Sequence, residues 1–202
     1  MALHIQVARK NNNESKTMKN ILTFVLAAVM STASFAAEVA GVNLPESLSA
    51  DDQALNLNGT GVRSKFFMDI YAAGLYLPEA NKDGETVVSQ DKPMALRLHI
   101  TSSLLTAEKM ESATREGFEQ STGGKTESIK PSIEKFIAAF KDEIKENDVF
   151  DLVYKPGKGV EVYKNSELKA SAEGLDFKKA LFGIWLSENA VQDDLKDGLL
   201  GS

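Results

Sequence analysis

The sequence contains no cysteine. Disulfides, thiolate metal sites and cysteine nucleophiles are therefore excluded, and stability must come from the core alone. Histidine is nearly as scarce: of the two present, His4 lies in the N-terminal segment and only His99 lies beyond it. A zinc site built from several histidines is thus out of reach. A Ser-His-Asp arrangement would have to be built around His99, and no G-x-S-x-G elbow occurs; His99 reads as a structural strand residue. Basic residues are outnumbered, 23 against 29 acidic, for a net charge of −6, which repels nucleic acid. Thr122-Gly123-Gly124-Lys125-Thr126 ends like a phosphate loop, but Glu119 stands where the first glycine belongs and a helix precedes it. The acidic pairs Asp142-Glu143 and Asp193-Asp194 lack calcium-loop spacing and read as solvated helix faces. No metal ligand set, cofactor motif, internal repeat or low-complexity tract is present.

What is present fits one domain: 202 residues, 43% of them apolar, enough for a single core. The N-terminus reads differently. Lys16 and Lys19 precede an apolar run from Ile21 to Met30, and the small residues Ala33, Ser34, Ala36 and Ala37 follow, the order found in a secretory signal peptide. The run is short of the roughly 20 residues that span a bilayer, so cleavage near Ala36 or Ala37 is expected, with no stable membrane anchor afterwards. Met18 is the expected initiator. Residues 1–37 form the leader and 38–202 the domain, expected in the periplasm. Loss of Arg9, Lys10, Lys16, Lys19 and Glu14 moves the net charge from −6 to −9.

Along the domain, Glu38 to Leu57 reads as short strand pieces, with Leu55 to Asn58 a half-buried strand ended by a turn at Gly59-Thr60-Gly61. Val62 to Leu77 reads as one long or bulged strand, or two, leading to a polar loop at residues 81–84. Met94 to Thr101 alternates, with Leu96, Leu98 and Ile100 on one face and Arg97, His99 and Thr101 on the other. A helix capped by Thr106 runs to about Gln120 and stops at Gly123-Gly124. Pro131 opens another helix, through Ile133, Phe136, Ile137, Phe140 and Ile144. Val149 to Tyr154 and Val160 to Tyr163 make a hairpin, Glu167 to Ala172 a third strand, and two helices close the chain, the first with Phe177, Leu181, Ile184 and Trp185 on one face. The fold class is α+β, an antiparallel sheet with helices on one face.

One segment is chemically unusual. Arg63 opens an apolar strand region, where a guanidinium must reach solvent or find an anionic or carbonyl partner. Tyr71, eight residues on, shares its face if the strand is unbroken; a bulge would reverse the parity. The pair can hold a carboxylate in an apolar cleft. Equally, Arg63 can pair with Asp69 or a helix carboxylate, leaving Tyr71 a half-buried sheet residue.

The run Leu57-Asn58-Gly59-Thr60-Gly61-Val62-Arg63, continuing through Lys65-Phe66-Phe67 to Tyr71-Ala72-Ala73-Gly74-Leu75-Tyr76-Leu77-Pro78, resembles the bacterial chalcone isomerase-like proteins. So do Glu108-Lys109-Met110 and the stretch from Asp176 to Leu186. The resemblance implies an open-faced β-sandwich: a curved antiparallel sheet with helices packed on one face and a ligand cleft between them. It places Arg63 at the family's arginine and Tyr71 roughly at its strand threonine. The enzymes' tyrosine falls on Thr106, their asparagine on Ala113 and their late hydroxyl near Lys178, so substrate orientation and general-acid support are missing. Chalcone cyclisation is not expected. The family's noncatalytic, fatty acid-binding relatives imply instead a small amphipathic or carboxylate ligand, held by Arg63 and Tyr71 with Thr101 and Thr106 nearby, and no cofactor. Two other readings stay open: an isomerase or intramolecular lyase of unknown substrate with Tyr71, His99 or Thr101 carrying the proton, and an envelope interaction or assembly factor. Oligomeric state is not legible.

Overall fold

Strands whose side chains alternate bury one face most simply by pairing with their sequence neighbours, and this chain does so without a crossover. The computed structural model describes residues 35–202; residues 1–34, which hold most of the leader including Met18, lie outside the described residues. A hairpin of β1 (Phe35–Val39) and β2 (Val42–Pro45) precedes a seven-stranded antiparallel sheet in strict chain order. Its strands are β3 (Ser47–Ala50), β4 (Gln53–Lys65), β5 (Met68–Leu77), β6 (Met94–Ile100), β7 (Val149–Lys155), β8 (Gly159–Lys164) and β9 (Glu167–Ala172). α1 (Gly84–Ser89) lies between β5 and β6, and α2 (Ala107–Thr122) and α3 (Lys130–Ile137) between β6 and β7. α4 (Leu175–Leu186) and α5 (Asp193–Leu200) follow β9. The architecture is α+β, a curved sheet with helices over one face. The main core joins Leu75, Leu96, Leu98 and Leu152 of the sheet to Phe118, Phe136, Phe177 and Leu181 of the helices. The β1–β2 hairpin covers part of the other face, where Leu44 and Ala72 are wholly buried.

The periodicity reading holds for most elements. Leu96, Leu98 and Ile100 enter the helix-side core, and on the opposite face Arg97 binds Asp151 bidentately at 2.7 and 2.8 Å. Thr106 caps α2, its hydroxyl accepting from the Lys109 amide, and Gly123 ends α2 in the left-handed conformation, φ 60°.

Three readings need correction. Gly59-Thr60-Gly61 is not a turn: β4 runs straight through it, with a register irregularity between Leu57 and Gly59. The glycines admit α5. A Cβ on Gly59 would lie 2.3 Å from the Gly198 carbonyl oxygen, and one on Gly61 would lie 2.8 Å from Leu195 Cδ1, a close backbone approach rather than a bend. The helix from Pro131 stops early, tightening into a 3-10 turn at Ala138–Phe140. Ile144 is buried all the same, while the Glu143 carbonyl leaves the helix pattern to accept from the Lys164 ammonium. Finally, the polar stretch at residues 81–84 starts a helix, because Asp83 accepts from the Thr86 amide and hydroxyl and so caps α1.

Val62 to Leu77 is two strands, joined at a two-residue turn where Phe66 and Phe67 both take left-handed φ, 51° and 63°. Asn-Gly is the usual choice there; each phenylalanine carries about 1–2 kcal/mol of backbone strain.

Candidate functional site

The β4–β5 hairpin decides the site. Arg63 and Tyr71 are direct cross-strand partners, so they share a face because two strands oppose them, not because one strand carries them eight residues apart. Arg63 finds no carboxylate among the described residues. Asp69, the partner considered from sequence, accepts instead from Ser64 Oγ at 2.8 Å. Arg63 Nη1 donates to Gln192 Oε1 at 3.0 Å and to the Ser64 carbonyl at 3.2 Å, which leaves Nη2 and Nε with no hydrogen bond among the described residues.

Gln192, at the N-cap position of α5, holds that arrangement. Its Nε2 donates to the Val62 carbonyl at 3.1 Å, and its Oε1 also accepts from the Ser64 amide at 3.1 Å. The side-chain amide thus lies along β4 and fixes the guanidinium at one end.

Tyr71 is buried, and its hydroxyl accepts from Trp185 Nε1 at 2.9 Å. Burial holds the phenol above its ordinary pKa, against the Trp185 hydrogen bond and the Arg63 charge, which act the other way. Its proton therefore stays on at neutral pH, and it has no acceptor among the described residues. Two donor groups, one cationic and one neutral, stand side by side with unfilled capacity.

They line a cleft of about 430 Å³, within the roughly 300–1,000 Å³ usual for small-molecule sites. Ile70 and Leu98 of the sheet form one wall, Met110 and Gly117 of α2 another, and Ile184 and Val191 the far side. Gly117 matters because a Cβ there would lie 2.9 Å from Ile184 Cγ2, so its absence lets α2 close on α4. The single carboxylate in the lining, Glu116, is exposed and accepts from Ser112 Oγ at 3.3 Å. The arrangement offers an apolar body with hydrogen-bond donors suited to an anion at one point of its wall.

The other residues read from sequence sit elsewhere. Thr106 is exposed and its hydroxyl caps α2; it does not line the cleft. Thr101 follows β6, its amide donates to the Ile70 carbonyl at 3.1 Å, and its hydroxyl is shielded with no partner among the described residues, again outside the cleft lining. His99 faces Asn147 at 3.4 Å, away from the cleft lining. Ala113 lines the cleft without a polar group to offer. Lys178, where the resemblance puts a hydroxyl, is fully buried and gives its three protons to the carbonyls of Val87, Val88 and Gln90 at 2.8, 2.8 and 2.9 Å. It caps the C-terminal end of α1. Gln192 and Trp185 were not among the candidates: Gln192 sits in an unpatterned segment, and Trp185 falls in the same apolar stripe as Leu181.

A family model described as chalcone isomerase-like matches residues 36–201. Among solved structures, the crystal structure of an Arabidopsis thaliana fatty-acid binding protein is similar, with a TM-score of 0.61 and 18% identity, covering 79% of this chain and 92% of that one. A search of curated proteins finds no match by sequence.

Proposed function

The chain belongs to the chalcone isomerase-like family, and from that premise we propose that it is a noncatalytic binding protein taking a small amphipathic acid, such as a fatty acid, with its carboxylate on Arg63 and Tyr71 and its tail in the cleft. The observation that carries this reading is the cross-strand pair itself: a guanidinium oriented by Gln192 with no carboxylate partner among the described residues, beside a protonated phenol, at the wall of an apolar cleft. Charge-assisted hydrogen bonds to both oxygens of a carboxylate suit a guanidinium fork, and the apolar walls favour a hydrocarbon tail. The fatty-acid binding protein of similar fold supports the same choice of ligand.

Titrating the purified domain with palmitate, followed by native mass spectrometry, tests this. The wild type is expected to bind one molecule, and Arg63→Ala to lose about tenfold or more, given the ~1.5–3 kcal/mol typical of a charged hydrogen bond. An empty wild type, or undiminished binding in Arg63→Ala, overturns the reading.

The same proposal includes export to the periplasm with removal of residues 1–37, supported by the order of basic, apolar and small residues before Glu38. N-terminal sequencing of the protein recovered by osmotic shock should begin at Ala37 or Glu38. Recovery only with the cytoplasmic fraction contradicts it.

A further inference from the structure

The cleft opens beside four of the five exposed large apolar side chains among the described residues. Phe66 is 79% exposed, Phe67 fully so, and Met68 and Leu104 are 42% and 45% exposed. Phe66, Met68 and Leu104 also line the cleft, so apolar side chains that reach solvent are part of its wall.

Two cations are built into the same surface. Lys65 Nζ lies 5.7 Å from the Phe66 ring centroid, and Lys109 Nζ donates to the Leu104 carbonyl at 2.8 Å. The first sets an exposed ammonium over an exposed ring, and the second fixes an exposed ammonium to the backbone of the exposed Leu104. The one carboxylate of the hairpin tip, Asp69, is held by Ser64 Oγ. In a chain of net charge −6, residues 63–69 carry a positive excess. The turn is also strained, since it places two phenylalanines where glycine and asparagine fit better. A turn made only to reverse the chain would not need aromatic rings aimed at solvent.

Apolar side chains at the front with lysines close behind are the arrangement that seats a protein in the boundary between headgroups and acyl chains, with the cations against anionic phosphates. We propose that the β4–β5 hairpin tip, with Leu104, docks the domain on an anionic lipid bilayer and holds the mouth of the cleft against the membrane. An amphipathic ligand can then pass between bilayer and cleft without crossing water. The docking itself stands apart from the cargo assignment; only this passage rests on it.

Flotation of the purified domain with phosphatidylcholine vesicles, with and without phosphatidylglycerol, tests the docking. Binding is expected to the anionic vesicles, to weaken as salt is raised, and to fall about tenfold or more in Phe67→Ser, which removes a side chain outside the cleft lining. Lys65→Glu should lower it as well. Because the chain has no cysteine, Asp69→Cys, which keeps both phenylalanines, can be labelled uniquely with an environment-sensitive fluorophore, whose emission should shift to the blue on anionic vesicles. No flotation at either composition overturns the proposal, as does flotation indifferent to Phe67→Ser. Self-association in solution that Phe67→Ser abolishes, without vesicle binding, also overturns it and assigns the tip to a second copy of the chain. Palmitate binding is measured without vesicles, so its failure alone sinks the cargo reading and leaves the docking standing.

Discussion

Replacing Gly59 by alanine should unseat α5. The new Cβ would lie 2.3 Å from the Gly198 carbonyl oxygen, 2.5 Å from that of Leu199 and 2.8 Å from the Leu199 carbonyl carbon. All three are backbone atoms, so no side chain can swing aside, and the helix must retreat by about an ångström to restore ordinary contact. The contact is reciprocal, because a Cβ on Gly198 would lie 2.4 Å from the Thr60 carbonyl. Retreat loosens Leu195, Leu199 and Leu200, all buried, and stretches the 2.9 Å bond from Asn58 Nδ2 to the Leu199 carbonyl. Overpacking a well-filled site costs about 1–3 kcal/mol, and the unyielding neighbours place Gly59→Ala at the upper end, about 3 kcal/mol. In a domain of this size that is about 6–12 °C in Tm. Urea unfolding of Gly59→Ala beside Gly157→Ala supplies the comparison: a Cβ at Gly157 meets nothing within 4 Å, so only its left-handed φ of 75° counts against alanine, about 1 kcal/mol. Because Gln192 rides on the N-terminal end of α5, Gly59→Ala should also weaken palmitate binding although it touches no ligand. A Gly59→Ala protein within about 0.5 kcal/mol of wild type would refute the close backbone packing and, with it, the account of how Arg63 is oriented.

Tyr71→Phe leaves Trp185 Nε1 buried without its acceptor, which should destabilise the fold by about 1–3 kcal/mol in urea and lower palmitate affinity; unchanged values of both would show that the phenol does neither job. Burial pushes the Lys178 ammonium down to about 8, below its unfolded value of about 10.4. Between those pH values the unfolded chain binds more protons, so stability should rise with pH through that window, by up to about 3 kcal/mol at ~1.4 kcal/mol per pH unit. The rise should be missing from Lys178→Met, and parallel stability curves for the two proteins would refute it. The Asp83 carboxyl is held below its ordinary value by the Thr86 amide, which it caps. Its contribution is therefore full above pH about 4 and lost as pH falls through the folded value; the difference in urea midpoint between wild type and Asp83→Ala should close in acid and persist at neutral pH.

Elements with a strong period were legible. Met94 to Ile100, the hairpin from Val149 and the helices of Phe118 and Phe177 follow from spacing alone, because burial on one face selects the residues that repeat. Gly59 and Gly61 misled because a glycine needed for contact with a distant helix looks, one residue at a time, like a glycine needed for a turn; only Gly198, about 140 positions away, distinguishes them. Arg63 and Tyr71 were legible as a pair, though the path differed: a two-phenylalanine turn carries none of the usual residues that announce a hairpin. Thr106 was legible as a cap, and the hydrogen bond to the Lys109 amide is where its hydroxyl goes. Gln192 was not legible at all, since its partners are backbone groups of Val62 and Ser64, and backbone groups leave no trace in side-chain patterns.

The Gln192 side chain has a consequence for solubility. β3 pairs with β4 only from Gln53 to Asn56, so the longer remainder of β4 has one neighbour and an open flank, the kind of edge along which sheets of separate molecules join. On that flank the Gln192 amide takes the Val62 carbonyl and the Ser64 amide as a neighbouring strand would, and Asn58 ties the near end to the Leu199 carbonyl. The Gln192 side-chain amide thus stands in for part of a missing strand. Losing Gln192 would do more than free the guanidinium: it would reopen a template for growth of the sheet from one molecule into the next.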